Sequence, residues 1–200
     1  MPLRRAVDLV IAGTALIAAS PVMAAIGIAI LMLDGKPILF RQTRVSLNGR
    51  PFHVVKFRTM RDTRDASGHL LPDASRVTTI GRLLRATRLD ELPQLWNILT
   101  GAMSLIGPRP LLPATIAQAG EQGRLRCTVR PGLTGWAQVN GNALLSDADK
   151  LALDVWYIAN RSITLDLQIL IRTIAVATMG ERPNPVSIRR AREGNPHRGG

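Results

Sequence analysis

From Leu9 to Leu33 the chain carries no charged residue, and that run limits every fold open to it. A helix needs about 20 apolar residues to cross the hydrocarbon core of a bilayer, and this stretch supplies them. Three readings meet the pattern. A cleaved signal peptide would use Arg4 and Arg5 in front and a small-residue site near Val22-Met23-Ala24, but the apolar run continues from Ile26 to Leu33, past any such cut. A plain spanning helix is the second reading. The third is a helix broken at Ser20-Pro21 that dips into the bilayer and returns to the same side. Basic residues flank both ends, Arg4 and Arg5 before, Lys36, Arg41 and Arg44 after. Lys and Arg mark cytoplasmic flanks, which favours a return. Pro21 removes one backbone donor and frees a carbonyl, and Ser20 can re-satisfy part of that loss. A mere kink in a spanning helix uses the same residues, so the last two readings stay open on this ground.

The stretch with most chemistry in it is Thr87 to Leu99. Leu89, Leu92, Leu95 or Trp96, and Leu99 recur at helical spacing and form one apolar stripe. Pro93 is tolerated only in a first helical turn, so the pattern predicts a helix that begins at or just before Asp90. Asp90 and Glu91 then sit at its positive end, where a carboxylate stays ionised and a phosphate can bind. Acids there are also ordinary helix caps, and the neighbours must decide. Arg76, Arg82, Arg85 and Arg88 crowd the approach. Guanidinium groups bind phosphate in a fixed fork, which suits a pyrophosphate; as mere intrahelical ion pairs they would contribute little.

Ile38 to Val45 and Pro51 to Met60 are β-prone runs separated by Leu47-Asn48-Gly49, a hairpin signal. On the second strand Phe52, Val54 and Lys56 share one face and His53, Val55 and Phe57 the other. Lys56 and Arg58 read, by residue type alone, as a solvated strand end. Residues 61–75 are a polar loop. In Gly107-Pro108-Arg109-Pro110 each proline fixes its own φ and biases its predecessor toward extended geometry, so Arg109 is presented from a stiff frame. Leu111 to Arg126 reads as a short helix, and Arg130 to Gly141 as a glycine-punctuated surface loop holding Trp136 and Gln138. A helix capped by Ser146 runs to about Asn160, burying Leu151, Val155 and Ile158. Another runs from about Ser162 to Met179, with a broad apolar face (Ile163, Leu167, Leu170, Ile174, Ala177) suited to the core or to a membrane interface. From Glu181 onward the composition is Arg, Pro and Gly, and reads as a disordered tail.

A net charge of +12, from 26 basic and 14 acidic side chains, calls for an anionic partner. Only 4% of residues are aromatic, too few for the interleaved stacking of single-strand nucleic-acid binders. One cysteine, Cys127, excludes an internal disulfide and suits a reducing compartment. His53, His69 and His197 lack metal-ligand spacing. There is no internal repeat, Rossmann or Walker fingerprint, or Ser-His-Asp order.

Five pieces in this order make the chain distinctive: Ser20-Pro21; Lys56-Phe57-Arg58-Thr59-Met60; Leu89-Asp90-Glu91-Leu92-Pro93-Gln94-Leu95; Gly107-Pro108-Arg109-Pro110-Leu111; and Pro131-Gly132-Leu133-Thr134-Gly135-Trp136-Ala137-Gln138-Val139-Asn140-Gly141. With them the chain resembles the bacterial sugar transferases, the small monotopic polyprenyl-phosphate phosphoglycosyl transferases, from its N-terminus to near Met179. The resemblance implies a mostly helical α+β fold. A re-entrant membrane helix-break-helix over residues 1–36, broken at Ser20 and Pro21, precedes a compact cytosolic catalytic domain over 37–180 with a short β-hairpin and amphipathic interfacial helices; the basic tail is 181–200.

The implied place is the cytoplasmic face of the bacterial inner membrane, among its phospholipids. The implied reaction moves a sugar-1-phosphate from a UDP-sugar to undecaprenyl phosphate in two steps. Asp90 is the expected nucleophile, forming a phosphosugar-enzyme as UMP leaves, and Glu91 the expected Mg2+ ligand. Pro108, Arg109 and Pro110 are expected to hold the nucleotide, Lys56 and Arg85 to neutralise phosphate, and Gln138 to lie in the substrate site. One departure is visible: Asn142 follows Gly141 where relatives often carry arginine, which bears on the sugar. No nucleic-acid partner is expected, and a homo-oligomer is left open. The rival reading, a membrane-anchored basic binding protein, leaves the acidic pair and the proline frame idle.

Overall fold

The computed structural model describes residues 2–194. It is a mostly helical α+β structure with one long apolar N-terminal helix and two small sheets. By its contacts the chain divides into two units, one of Met1–Gln42 with Val54–Leu99, the other of Thr43–His53 with Thr100–Gly200.

The first unit is organised on α1, Pro2–Asp34, whose helical assignment runs unbroken through Pro21. The expected helix-break-helix is therefore not seen as an interruption of helix. Pro21 cannot bond the carbonyl of Ile17, four residues back; the Ser20 hydroxyl donates to that same carbonyl at 2.8 Å, a local substitute for the lost bond. The middle of α1 is exposed, with Ile17 at 76%. Its ends are tied down. Arg5 donates to the carbonyls of Ile98 and Leu99 at 2.7 and 3.0 Å. At the other end Arg58 donates to the carbonyls of Asp34 and Gly35, both at 2.7 Å, and of Lys36 at 2.9 Å, supplying partners to carbonyls that the helix end leaves open. A straight helix of 33 residues would be about 50 Å long, yet both its ends are hydrogen-bonded within this one unit.

Against the C-terminal half of α1 pack β2 (Pro51–Phe57), partner of β1 (Leu39–Val45) in the hairpin, and α3 (Thr79–Thr87), which follows the one-turn α2 (Asp73–Arg76). Ile26, Ile30, Phe57 and Leu84 make the buried cluster, with Leu89 and Leu92 against it. Leu89 and Leu92 thus turn inward as their spacing predicts, and of the alternatives Leu95 and Trp96 it is Leu95 that is buried, at 4% exposure, while Trp96 stands 58% exposed. Gly81 lets α3 approach the strand exit closely, because a Cβ there would collide with the carbonyl of Thr59.

In the second unit, β3 (Ser104–Ile106) pairs in parallel with β4 (Gly132–Thr134), Ser104 opposite Gly132 and Ile106 opposite Thr134. This pair is unanticipated, since three-residue strands show no periodicity to read. The single helix expected over 111–126 is two, α5 (Pro113–Gln118) and α6 (Gly120–Arg126), divided at Gly120 with φ +55°. After α7 (Trp136–Val139) come α8 (Asp147–Ala159) and α9 (Ile163–Met179). Ser146 caps α8 by accepting from the Asp149 amide at 3.1 Å, and Ser162 caps α9 by accepting from that of Leu165 at 3.1 Å. The core holds Trp136, Leu153, Tyr157, Leu165 and Ile169. The inner face of α9 is Leu165 and Ile169, while Ile163, Leu167, Ile171 and Ile174 lie outside at 55–69% exposure.

Beyond residue 180 the expected disorder gives way to α10, Pro185–Glu193. Asn184 caps it and Ala191 is fully buried. Arg192 holds Asp149 at 2.6 Å, and Arg190 lies 5.8 Å from the Trp156 ring. Arginines that read as a solvated run are here spent on α8. Residues 195–200, the rest of the expected tail, lie outside the described residues.

Candidate active site

In the first unit the acidic pair does not open an α-helix as its spacing predicts. Leu89–Glu91 form a 3-10 turn, and α4 begins only at Gln94 (Gln94–Leu99). Arg88 makes the corner with φ +56° and ψ 16°, a left-handed conformation that a bulky residue rarely adopts and that clusters at functional sites. The chain then winds forward on bonds from Glu91 N to Arg88 O, Leu92 N to Leu89 O and Leu95 N to Leu92 O. Pro93, lacking an N–H, sits in that sequence at no cost. The pair is consequently carried on a tight turn, pinned from behind by Leu89 and Leu92 in the apolar cluster.

Asp90 and Glu91 are 8% and 9% exposed. Carboxylates are seldom so buried without partners. Lys56, from β2, places Nζ 2.6 Å from Glu91 Oε1, with side-chain exposures of 22% and 11%. The alternation of β2 that turns Val54 inward also turns Lys56 to that face, and the Val55 amide donates to Asn97 Oδ1 of α4 at 3.1 Å. Lys56 is thus a partner of the acidic turn and not a solvated strand end. Arg85, on α3, donates to Thr59 Oγ1 at 2.9 Å and approaches Met60 Sδ at 2.8 Å. It belongs to the strand exit of the same unit.

In the second unit the Gly107–Pro110 frame is tied along its length. Gly107 N donates to Thr134 O, and Gly132 N to Pro108 O, both at 2.9 Å; Val45 N donates to Leu111 O at 3.1 Å. The carbonyl of Arg109 accepts from Arg126 Nη2 at 2.7 Å. Arg126 in turn is bound to Asp154 Oδ2 by Nε at 2.9 Å and Nη2 at 2.7 Å, with both side chains almost wholly buried. Burial pushes the Asp154 carboxyl up, against the pull of Arg126. A Cβ on Gly132 or Gly135 would collide with Gly107, so this frame and the loop after it fit only as glycine. Burial first, then the Arg109 charge nearby, lowers the Arg44 pKa. Arg44 still carries its charge at neutral pH, so two guanidinium groups face the same local field. The sequence offered Arg44 only as a membrane flank; its electrostatic link to Arg109 spans 65 residues, which no local pattern encodes.

Gln138 sits on α7, 7% exposed. Both ends of its carboxamide are buried without a hydrogen-bond partner among the described residues. Such orphaned groups are few in native proteins and call for an explanation; a bound ligand is one. Asn142, with φ +43°, donates to Glu181 Oε1 at 2.6 Å, and the Ala143 amide to Glu181 Oε2 at 3.0 Å, so Glu181 clamps the loop after Gly141.

No group of three or more His, Cys, Asp or Glu side chains that could hold a metal occurs among the described residues. The adjacent oxygen donors of Asp90 and Glu91 nonetheless suit Mg2+, which takes one or two carboxylates and completes its shell with phosphate oxygens and water.

Comparison with known proteins gives the family. The family model described as bacterial sugar transferase matches residues 1–180. The chain is 46% identical over 182 residues to the uncharacterized sugar transferase EpsL of Bacillus subtilis, covering 90% of each. It is 39% identical to the UDP-glucose:undecaprenyl-phosphate glucose-1-phosphate transferase of Escherichia coli, over 86% of this chain and 39% of that longer protein. It is 38% identical to the UDP-N-acetylgalactosamine-undecaprenyl-phosphate N-acetylgalactosaminephosphotransferase of Aeromonas hydrophila, over 89% of this chain and 44% of the relative. The chain therefore belongs to the bacterial sugar transferase family, a family of transferase enzymes that includes polyprenyl-phosphate sugar-1-phosphate transferases.

Proposed function

We propose that the chain is a phosphoglycosyl transferase that moves a sugar-1-phosphate from a UDP-sugar to undecaprenyl phosphate and releases UMP. The observation that carries this reading is the buried acidic turn, with Lys56 2.6 Å from Glu91, in a unit whose apolar helix is tied at both ends. Family membership supports it. An oxygen of the Asp90 carboxylate attacks the sugar-bearing phosphorus; the P–O bond to UMP breaks, and UMP departs with the electron pair. An oxygen of undecaprenyl phosphate then attacks the same phosphorus, the bond to Asp90 breaks, and the carboxylate is regenerated. A carboxylate is competent in such covalent catalysis when nearby cations relieve repulsion between the two anions. Lys56 and Arg85 supply part of that relief, and Arg109, backed by Pro108 and Pro110, holds the nucleotide phosphate. Gln138 offers its unmatched carboxamide to the same substrate. Glu91, with Asp90 beside it, would hold Mg2+, whose contribution when bound is charge neutralisation at the diphosphate.

The tied ends of α1 support a monotopic, re-entrant placement. Arg5 and Arg58 anchor opposite ends of the apolar run in one unit, which supports a helix that enters the bilayer from, and returns to, the side holding that unit; the basic flanks favour the cytoplasmic side. The test is UMP release from a panel of UDP-sugars, glucose and N-acetylgalactosamine among them, with undecaprenyl phosphate and Mg2+. Wild type releases UMP, and Asp90→Asn releases at least about 10³-fold less with its fold intact. Salt-dependent nucleic-acid binding without UMP release would overturn the proposal in favour of a basic binding protein.

A further inference from the structure

At the C-terminal end of α9 lies a cavity of about 310 Å3, at the small end of the roughly 300–1,000 Å3 typical of ligand sites. Its walls combine apolar side chains, Val139, Val176, Met179 and Pro183, with two arginines, Arg172 and Arg182. None of these is assigned a part in the proposed transfer. Among the described residues no carboxylate lines the cavity. Glu181, next to Arg182 in sequence, gives its carboxylate to Asn142 Nδ2 and the Ala143 amide.

Both arginines hang on one buried residue. Asn140, fully buried, accepts from Arg172 Nη1 through Oδ1 at 3.0 Å, and from the Asn184 amide through its carbonyl at 3.1 Å. Its own Nδ2 donates to the Trp136 carbonyl at 2.8 Å. The first bond fixes Arg172, whose Cζ also lies 5.0 Å from the Trp136 ring. The second fixes the segment that carries Arg182 out of α9 past Gly180, where φ is +83°. On its far side that segment is held by α10, with Ala191 buried and Arg192 bound to Asp149. The frame is thus built before any ligand arrives, which lowers the ordering cost of binding. Arg182 makes no hydrogen bond or ion pair among the described residues, and Arg172 keeps N–H donors beyond the one given to Asn140.

Two guanidinium groups with donors to spare and no carboxylate beside them suit a dianion. A carboxylate has two oxygens and is satisfied by a single guanidinium fork. A phosphate monoester carries about −1.5 to −2 charges at pH 7 and three strong acceptor oxygens, enough for both arginines. Bare phosphate would leave Val139, Val176 and Met179 without a partner, whereas the organic part of an ester can lie against them.

We propose that this cavity binds an organic phosphate monoester, with the phosphate between Arg172 and Arg182 and the uncharged part against the apolar wall. Two sources share that chemistry, a soluble nucleoside monophosphate and a lipid monophosphate.

The experiment uses the full chain in a neutral detergent, with a trifluoromethyl tag on Met179→Cys in a Cys127→Ser background. Met179 lines the cavity and is 64% exposed, so fluorine NMR of the tag reports occupancy there. UMP represents the soluble source and farnesyl phosphate the lipid one. At least one of them shifts the tag saturably, about tenfold or more tightly than inorganic phosphate, and the tighter of the two identifies the source. Arg182→Gln, and separately Arg172→Gln, weaken that ligand about tenfold, while Arg64→Gln, on an exposed loop, leaves it unchanged. Arg182→Gln keeps the test valid where Arg172→Gln disturbs the packing on Trp136. No saturable shift with either ester would overturn the proposal. So would uridine or farnesol binding as tightly as its phosphate, inorganic phosphate binding as tightly as the better ester, or equal loss in Arg64→Gln. Only binding is read, so a failed titration leaves the transfer reading standing, and absent UMP release leaves this one standing.

Discussion

Lys56 and Glu91, 35 residues apart, meet at 2.6 Å with little solvent around either. One half of that pair comes from a strand whose period turns it inward, the other from a turn bent by Arg88. Lys56→Met removes a close cation from a buried carboxylate. It is expected to lower stability by about 2–3 kcal/mol and UMP release by on the order of 10²-fold. Lys56→Arg, which keeps the charge, recovers most of the stability and less of the activity. Thermal melts beside rate measurements check this; unchanged activity in Lys56→Met would remove Lys56 from the site.

The Asp154–Arg126 pair reaches Arg109 through its main-chain carbonyl. Asp154→Ala strands a buried guanidinium and is expected to cost about 3–5 kcal/mol. Arg126→Lys preserves a charge for Asp154 but not the second donor to Arg109. It should therefore raise KM for the UDP-sugar several-fold while kcat changes less, a split that general destabilisation does not produce.

Docking of α10 is expected to depend on acid. The bond from Arg192 comes first among the influences that hold the Asp149 carboxyl below its usual range. A depressed folded pKa contributes stability above the unfolded value, near about 3.9, and that contribution is lost as pH falls through the folded value. Trp156, against which Arg190 lies, reports the change. Its fluorescence should shift below about pH 4 in wild type, and Asp149→Asn should show the shifted signal already at neutral pH.

Much of the site was legible in the sequence because its residues carry chemistry in local patterns: adjacent carboxylates before a proline, an arginine between prolines, a lysine on an alternating strand. What was not legible depends on partners distant in the chain. The 3-10 geometry of Leu89–Glu91 follows from Arg88 turning left-handed, which nothing in the residue type favours. The burial of Gln138 comes from glycines that bring Gly132 and Gly135 against Gly107, where composition reads only a loop. α10 looks disordered by charge content, since a count of arginines does not register that one of them meets Asp149 of α8. On α9 the period of the apolar residues was visible, but not which of two apolar faces the core would take.

Membrane topology has a direct check. In a Cys127→Ser background, Leu3→Cys and Lys36→Cys, one at each end of α1, should both react with a membrane-impermeant thiol reagent only after the inner membrane is opened. Labelling of Leu3→Cys from the periplasm in intact cells would contradict the re-entrant placement.

The ties at the two ends of α1 differ in when they can be made. The partners of Arg58 lie 22 to 24 residues earlier in the chain, so that end can close as soon as the hairpin leaves the ribosome. Those of Arg5 lie 93 and 94 residues later. During synthesis, in the proposed membrane placement, the apolar run thus meets the bilayer with one end moored and the other adrift. The second mooring waits for Ile98 and Leu99, which emerge only after Asp90 and Glu91, so the anchor is completed by the same segment that completes the acidic turn.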